Sequence, residues 1–170
     1  MRRQSGRQEG EVNYSAEIDR AIDDKRQESA LALAEAWVAA AQDDAGAWSK
    51  LAHVHEMNED FVKAGGAVAA ALKISPQYPP YLFKRGYIEY RLGNYADAAS
   101  AFELCVLSSE LTLDGYYLDA ARIARARCLV LDGRADLAVD AIGSVAEGAA
   151  TWLERRFSKE DVLKSMMAKR

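Results

Sequence analysis

The sequence predicts an all-α fold, an array of antiparallel helix hairpins stacked one on the next, and three observations carry that reading. First, Trp48, Leu51, Ala52, Ala64, Ala71 and Pro76 fall at spacings that fit one helix–turn–helix unit of about 34 residues. Second, Leu82, Gly86, Gly93, Tyr95, Ala98 and Phe102 repeat the pattern in phase, so that Trp48 to Leu82 and Ala64 to Ala98 each span about one period. Third, the chain has 170 residues and is 50% hydrophobic, which supplies the apolar material for one short solenoid.

Residues 1–12 are polar, contain glycine and lack periodicity, which predicts a disordered leader. The remainder, 13–170, reads as a single helical domain. Over 13–44 the apolar stretches Ile18/Ala21/Ile22 and Leu31/Leu33/Ala34/Trp37/Val38 flank a charged Asp23–Glu28 segment, as in a hairpin. This stretch is a degenerate first unit, with Tyr14 and Ala30 in phase with Trp48 and Ala64. The unit at 45–78 predicts one helix over Ala45–Met57 and another over Asp60–Ile74, ended at Ser75-Pro76 because proline cannot continue a helix. Its small residues Ala52, Ala64 and Ala71 belong where helix axes approach most closely. Gly65-Gly66 in mid-helix costs roughly 1 kcal/mol per glycine, which predicts close packing there as compensation.

The unit at 79–112 opens with Pro79-Pro80, tolerated in a first helical turn. The next turn, Asp132-Gly133-Arg134-Ala135, comes about six residues late for a strict period. The unit at 113–148 therefore carries an insertion, placed in Ser109–Tyr117 as either a longer loop or an extended helix. Residues 149–170 are read as capping helices. Ser158-Lys159-Glu160-Asp161 resembles a capping box and starts a helix at Lys159, with Val162, Leu163, Met166 and Met167 as its apolar stripe. That helix either covers the end of the array or forms a homodimer contact.

Over roughly residues 45–146 these motifs resemble the tetratricopeptide repeat family. The resemblance implies a right-handed α-solenoid with a C-terminal capping helix, in which the first helix of each unit lines a concave groove. Carried over by position, the groove side is Ser49, Lys50, His53 and Met57, then Phe83, Lys84, Tyr87, Tyr90 and Arg91, then Ile123, Arg127 and Leu131. Basic heads interleave with aromatic faces, which suits a peptide or protein partner. Tyr87 and Tyr90 also fit a core stripe, since they lie three apart on one helix. Arg85 and Arg125 share a repeat position and are read as bridges at the helix seam. Some family members clamp a C-terminal carboxylate with Lys, Asn and Arg; the corresponding Ser49, His53, Lys84, Ala120 and Ala124 do not make that clamp.

The net charge of −4 gives no global support for binding nucleic acid or anionic lipid. No run approaches the roughly 18 apolar residues of a membrane span, and the basic start lacks the apolar stretch of a secretory signal. Cys105 and Cys128 sit at small apolar positions, as buried reduced thiols do, so the chain is expected in the cytoplasm. His53 and His55 are two apart on a helix and diverge, which disfavours a shared metal. No catalytic elbow, phosphate loop or cysteine-rich metal pattern occurs. The expectation is a non-enzymatic module without cofactor or metal that acts as a chaperone, adaptor or assembly factor. An inhibitor or immunity protein that blocks a toxin or enzyme is the alternative.

Overall fold

The computed structural model describes residues 13–113 and 115–168; the leader expected at 1–12 lies outside them. Four helices come first, α1 (Tyr14–Asp23), α2 (Gln27–Ala40), α3 (Ala45–Met57) and α4 (Phe61–Ile74). Then follow α5 (Pro79–Arg91), α6 (Tyr95–Thr112), α7 (Gly115–Leu131) and α8 (Ala135–Gly143). The chain closes with β1 (Ala150–Trp152), β2 (Arg156–Ser158) and α9 (Lys159–Met167). Short acceptors start several helices, because the first N–H groups have no partner within the helix. The side chain of Asn13 accepts from the Ala16 N–H, that of Asp44 from Gly46 and that of Asp60 from Lys63.

One turn recurs through the array. Lys25, Glu59, Gly93 and Gly133 each take positive φ after a helix, at 58°, 58°, 81° and 81°. In each case the next N–H reaches back to close the same loop: Arg26 to the Ala21 carbonyl at 2.8 Å, Asp60 to His55 at 2.9 Å, Asn94 to Glu89 at 2.9 Å and Arg134 to Leu129 at 2.8 Å. This is the Schellman arrangement, which satisfies carbonyls stranded at a helix C-terminus. Lys25 and Glu59 adopt without glycine a backbone that costs an L-residue about 1–2 kcal/mol, so the phase extends into the unit that the sequence marks as degenerate.

Packing explains the small residues. Ala30, Ala34, Ala52, Ala64, Ala71, Ala98 and Ala138 are at most 1% exposed. One apolar cluster joins α1–α4 with Ile88, and a second joins α5–α9; Leu72 and Tyr87 pack against both. The two middle glycines of α4 differ from expectation. A Cβ on Gly65 would meet Ile88 Cγ2 at an ordinary 3.6 Å, and one on Gly66 would meet nothing within 4 Å. Gly86 is the glycine that packing demands, since its Cβ would lie 2.7 Å from the Phe102 ring.

The residues that lengthen the third interval form helix. α6 runs on to Thr112, Leu113 takes φ 56°, and α7 begins at Gly115. Residues 149–158, expected as helix, form an antiparallel hairpin that pairs Ala150 with Ser158, Thr151 with Phe157 and Trp152 with Arg156. Phe157 is fully buried. The capping box at Ser158 is formed in both halves, with the Asp161 N–H donating to Ser158 Oγ and the Ser158 N–H to the Asp161 carboxylate. α9 packs on α7 and α8.

These contacts give opposite outcomes for two glycine substitutions. Gly86→Ala drives a methyl into Phe102 and costs about 1–3 kcal/mol, whereas Gly66→Ala, in open space on a helix, stabilises by about 0.5–1 kcal/mol. Urea unfolding of the two variants checks both signs.

Candidate binding cleft

α3, α5 and α7 turn one face each toward a common cleft of about 680 Å³, and β1 closes its fourth side. His53, Glu56 and Met57 come from α3, and Pro80, Phe83, Lys84 and Tyr87 from α5. α7 supplies Tyr116, Tyr117 and Ala120, while the hairpin supplies Ala150, Thr151, Trp152 and Leu153. Helical spacing explains the selection, because residues three or four apart share a face. The aromatic lining is continuous with the core: Phe83 meets Phe102 edge-on at 5.1 Å between ring centroids and tilts against Tyr117 at 5.3 Å. Tyr116 and Trp152 are the open side of this lining, at 82% and 70% exposed.

Of the residues expected on the groove side, His53, Met57, Phe83, Lys84 and Tyr87 line the cleft. Arg91 lies just beyond it, stacked 4.3 Å above the Phe61 ring and donating from Nη1 to the Tyr87 hydroxyl at 2.7 Å. Ser49 and Lys50 are half-buried outside the lining, and Lys50 is tied to Asp19 of α1 at 2.8 Å. Tyr90, Ile123 and Arg127 do not face the cleft. Tyr90 is buried and donates its hydroxyl to Glu154 in the hairpin tip. Ile123 is fully buried in the cluster that holds Leu153 and Phe157. Arg127 lies 4.8 Å over the Phe157 ring and 4.0 Å from Glu154. The hairpin thus covers the half of α7 where the groove was expected, and the opening moves toward the start of that helix. Leu131 is half-buried at the far end of α7. Of the two seam arginines, Arg125 bridges to Glu103 of α6 at 2.8 Å, while Arg85 is exposed.

Sequence reasoning missed Tyr116, Tyr117 and the four hairpin residues. The signal for the tyrosines was present, since they sit in the segment that breaks the period and insertions in repeat arrays often line a binding face.

The polar wall of the cleft is internally neutralised. Lys84 Nζ donates to both oxygens of Glu56, at 2.9 and 3.1 Å, and His53 Nδ1 lies 3.7 Å from the same carboxylate. Burial alone would raise the Glu56 carboxyl, but the His53 ring and the Lys84 ammonium outweigh it and hold the group below its ordinary range. His55 points into the core, and burial lowers its pKa against the opposing pull of Asp60. The Cys128 thiol is pushed up to about 12 by burial and stays protonated, which removes it as a nucleophile. Among the described residues no group of three or more His, Cys, Asp or Glu side chains could hold a metal ion, and no helix is long and apolar enough to cross a membrane.

These shifts set an acid limb. Both folded pKa values lie below the unfolded ones, so His55 contributes stability above about 6.5 and Glu56 above about 4.5, each lost as pH falls through its folded value. Urea unfolding followed from about pH 8 down to about pH 2 is expected to weaken in two stages. Glu56→Gln is expected to shrink the lower stage, to which the lowered carboxyls of Asp60, Glu160 and Asp161 also contribute, and His55→Gln to remove the upper.

No family model matches the chain, and no curated protein matches it. Solved structures do. A crystal structure of MamA superposes with a TM-score of 0.67 at 16% identity, covering 92% of this chain and 80% of that one. A second crystal structure of MamA gives 0.66 at 16%, over 92% and 75%. A thermophilic TPR protein of Thermus thermophilus gives 0.56 at 18%, over 89% and 76%. With the recurring Schellman turns and the small-residue seams, these likenesses establish that the chain has the tetratricopeptide repeat fold, an all-α solenoid of antiparallel helix hairpins.

Proposed function

We propose that residues 13–170 act as one protein-binding module, which holds a segment of another protein in the cleft between α3, α5, α7 and β1. The observation that carries this reading is the aromatic lining. Phe83, Tyr87, Tyr116, Tyr117 and Trp152 converge on one open cavity, and rigid amphipathic rings of this kind supply large contact area at low entropic cost. The likeness to repeat proteins supports a role in protein contacts, and a chaperone, adaptor or assembly factor is the form we assign to it. A net charge of −4 supports a protein partner over nucleic acid or an anionic membrane. Two buried cysteines that form no disulfide fit the reducing cytoplasm. The likeness to repeat proteins supports a binding role, and we assign the module no catalytic step.

A photo-crosslinking side chain tests the reading when placed at Tyr116 or Trp152, with Val62 on α4 as the control, since Val62 is 74% exposed and outside the cleft. In the native cell extract both cleft positions are expected to join the same partner and the control position is not. Trp152→Ala and Tyr116→Ala should each lower capture of that partner about tenfold, the effect of losing an aromatic anchor. Their melting temperatures should stay within about 2 °C of the parent, because exposed side chains contribute little to folding. Equal joining from Val62 would remove the cleft from the account.

A further inference from the structure

The strand that closes the cleft indicates the backbone form of what the cleft holds. β1 has one partner strand: Ala150, Thr151 and Trp152 lie opposite Ser158, Phe157 and Arg156 of β2. At the tip the Leu153 N–H donates to the Arg155 carbonyl at 3.1 Å. An antiparallel ladder alternates bonded and non-bonded pairs, so Leu153 opposite Arg155 sets the phase. Thr151 opposite Phe157 is the next bonded pair, and Ala150 and Trp152 turn their N–H and C=O groups away from β2. Among the described residues neither Ala150 nor Trp152 makes a backbone bond to any other element.

That free edge faces the cleft. Consecutive strand residues point to opposite sides of a sheet, yet Ala150, Thr151, Trp152 and Leu153 all line the cavity, and no residue of β2 does. A cavity touched from both sides of one strand runs along its edge. Across it lie the rings of Phe83, Tyr116 and Tyr117.

We propose that the partner binds as an extended, uncharged segment that adds a third strand to the free edge of β1. This rests on the cleft being the protein-binding site. The three residues of β1 span about 10 Å at the usual rise, and the main-chain groups of Ala150 and Trp152 supply the paired donors and acceptors that strand addition requires. A helical ligand has no spare N–H or C=O groups to offer this edge, because its own ladder uses them. The charge follows from complementarity: Glu56 and Lys84 cancel each other within the wall, so a charged partner side chain would be desolvated without an opposite charge to meet it. Side chains of the added strand alternate between the Thr151 side, toward α7, and the exposed Trp152 ring. β-branched and aromatic residues suit both positions.

Uncharged octapeptides selected by display against the intact chain are the probe, each resynthesised with N-methyl groups on alternate residues in one register or the other. Strand addition predicts that one register lowers affinity tenfold or more while the other changes it less than threefold, since only one edge of the added strand faces β1. Ala150→Pro deletes an outward N–H while leaving the β1–β2 bonds intact, and should weaken the same peptides at least tenfold; Val62→Ala on α4, outside the cleft, should not. If Ala150→Pro fails to fold, the methylation registers decide alone. Equal effects from both registers, whether weak or strong, overturn strand addition and leave the cleft reading standing, provided Trp152→Ala still weakens binding. Peptides indifferent to Trp152→Ala, or no peptide at all, overturn both.

Discussion

Where α5 passes α6, the Phe102 ring lies so close to Gly86 that a single added methyl would sit 2.7 Å from it. That approach sets the position of the rings that follow. Phe102 takes Phe83 edge-on, Phe83 tilts against Tyr117, and Tyr117 meets Tyr116 at 4.9 Å. A line of aromatic contact therefore runs from the buried seam of one hairpin to the open floor of the cleft. Aromatic pairs contribute about 0.5–1.5 kcal/mol each beyond their buried area and prefer these tilted geometries. The inner end of the floor is core.

The hairpin depends on the array in the same way. A two-stranded ribbon is marginal by itself in water, and three-residue strands are short even for a ribbon. Its stability comes from docking: Phe157 is fully buried, with the guanidinium of Arg155 3.9 Å and that of Arg127 4.8 Å from its ring centre. Glu154 at the tip accepts from Tyr90 of α5, which ties the ribbon to a second helix. α9, started by a complete capping box, closes the end of the solenoid behind it. A terminal repeat needs a solvated flank, and here the covering element also forms one side of the cleft.

How much of this was legible in the sequence follows from what each feature depends on. Helix bounds such as Ala45–Met57 were legible because caps, prolines and glycine turns act within a few residues. The capping box at Ser158 was legible for the same reason. The hairpin was not, since Thr151 and Phe157 owe their strand conformation to the α7 surface, a tertiary preference that outweighs local propensity. The face of α7 was legible while its use was not. Tyr116, Ala120, Ile123 and Arg127 follow one another at helical spacing, but only docking of the hairpin decides that the first two stay open and the last two are covered. Gly66 misled for a simpler reason: nothing approaches it, and the sequence pattern could not distinguish it from Gly86.

The absence of a carboxylate clamp acquires a physical meaning from Lys84. Among the positions corresponding to the clamp, Lys84 is the one lysine or arginine, and its ammonium is committed to Glu56 through two hydrogen bonds in a half-buried wall. A partner carboxylate would have to compete with Glu56 for Lys84 and leave Glu56 with only the His53 ring beside it, which costs free energy in a half-buried wall. If the cleft holds the partner as proposed, the pair therefore disfavours acid rather than attracting it. Specificity built from an unfavourable alternative is as effective as specificity built from attraction. In the proposed reading, what remains attractive in the cleft is aromatic surface and the free edge of β1, and both suit a neutral, extended chain better than a charged terminus.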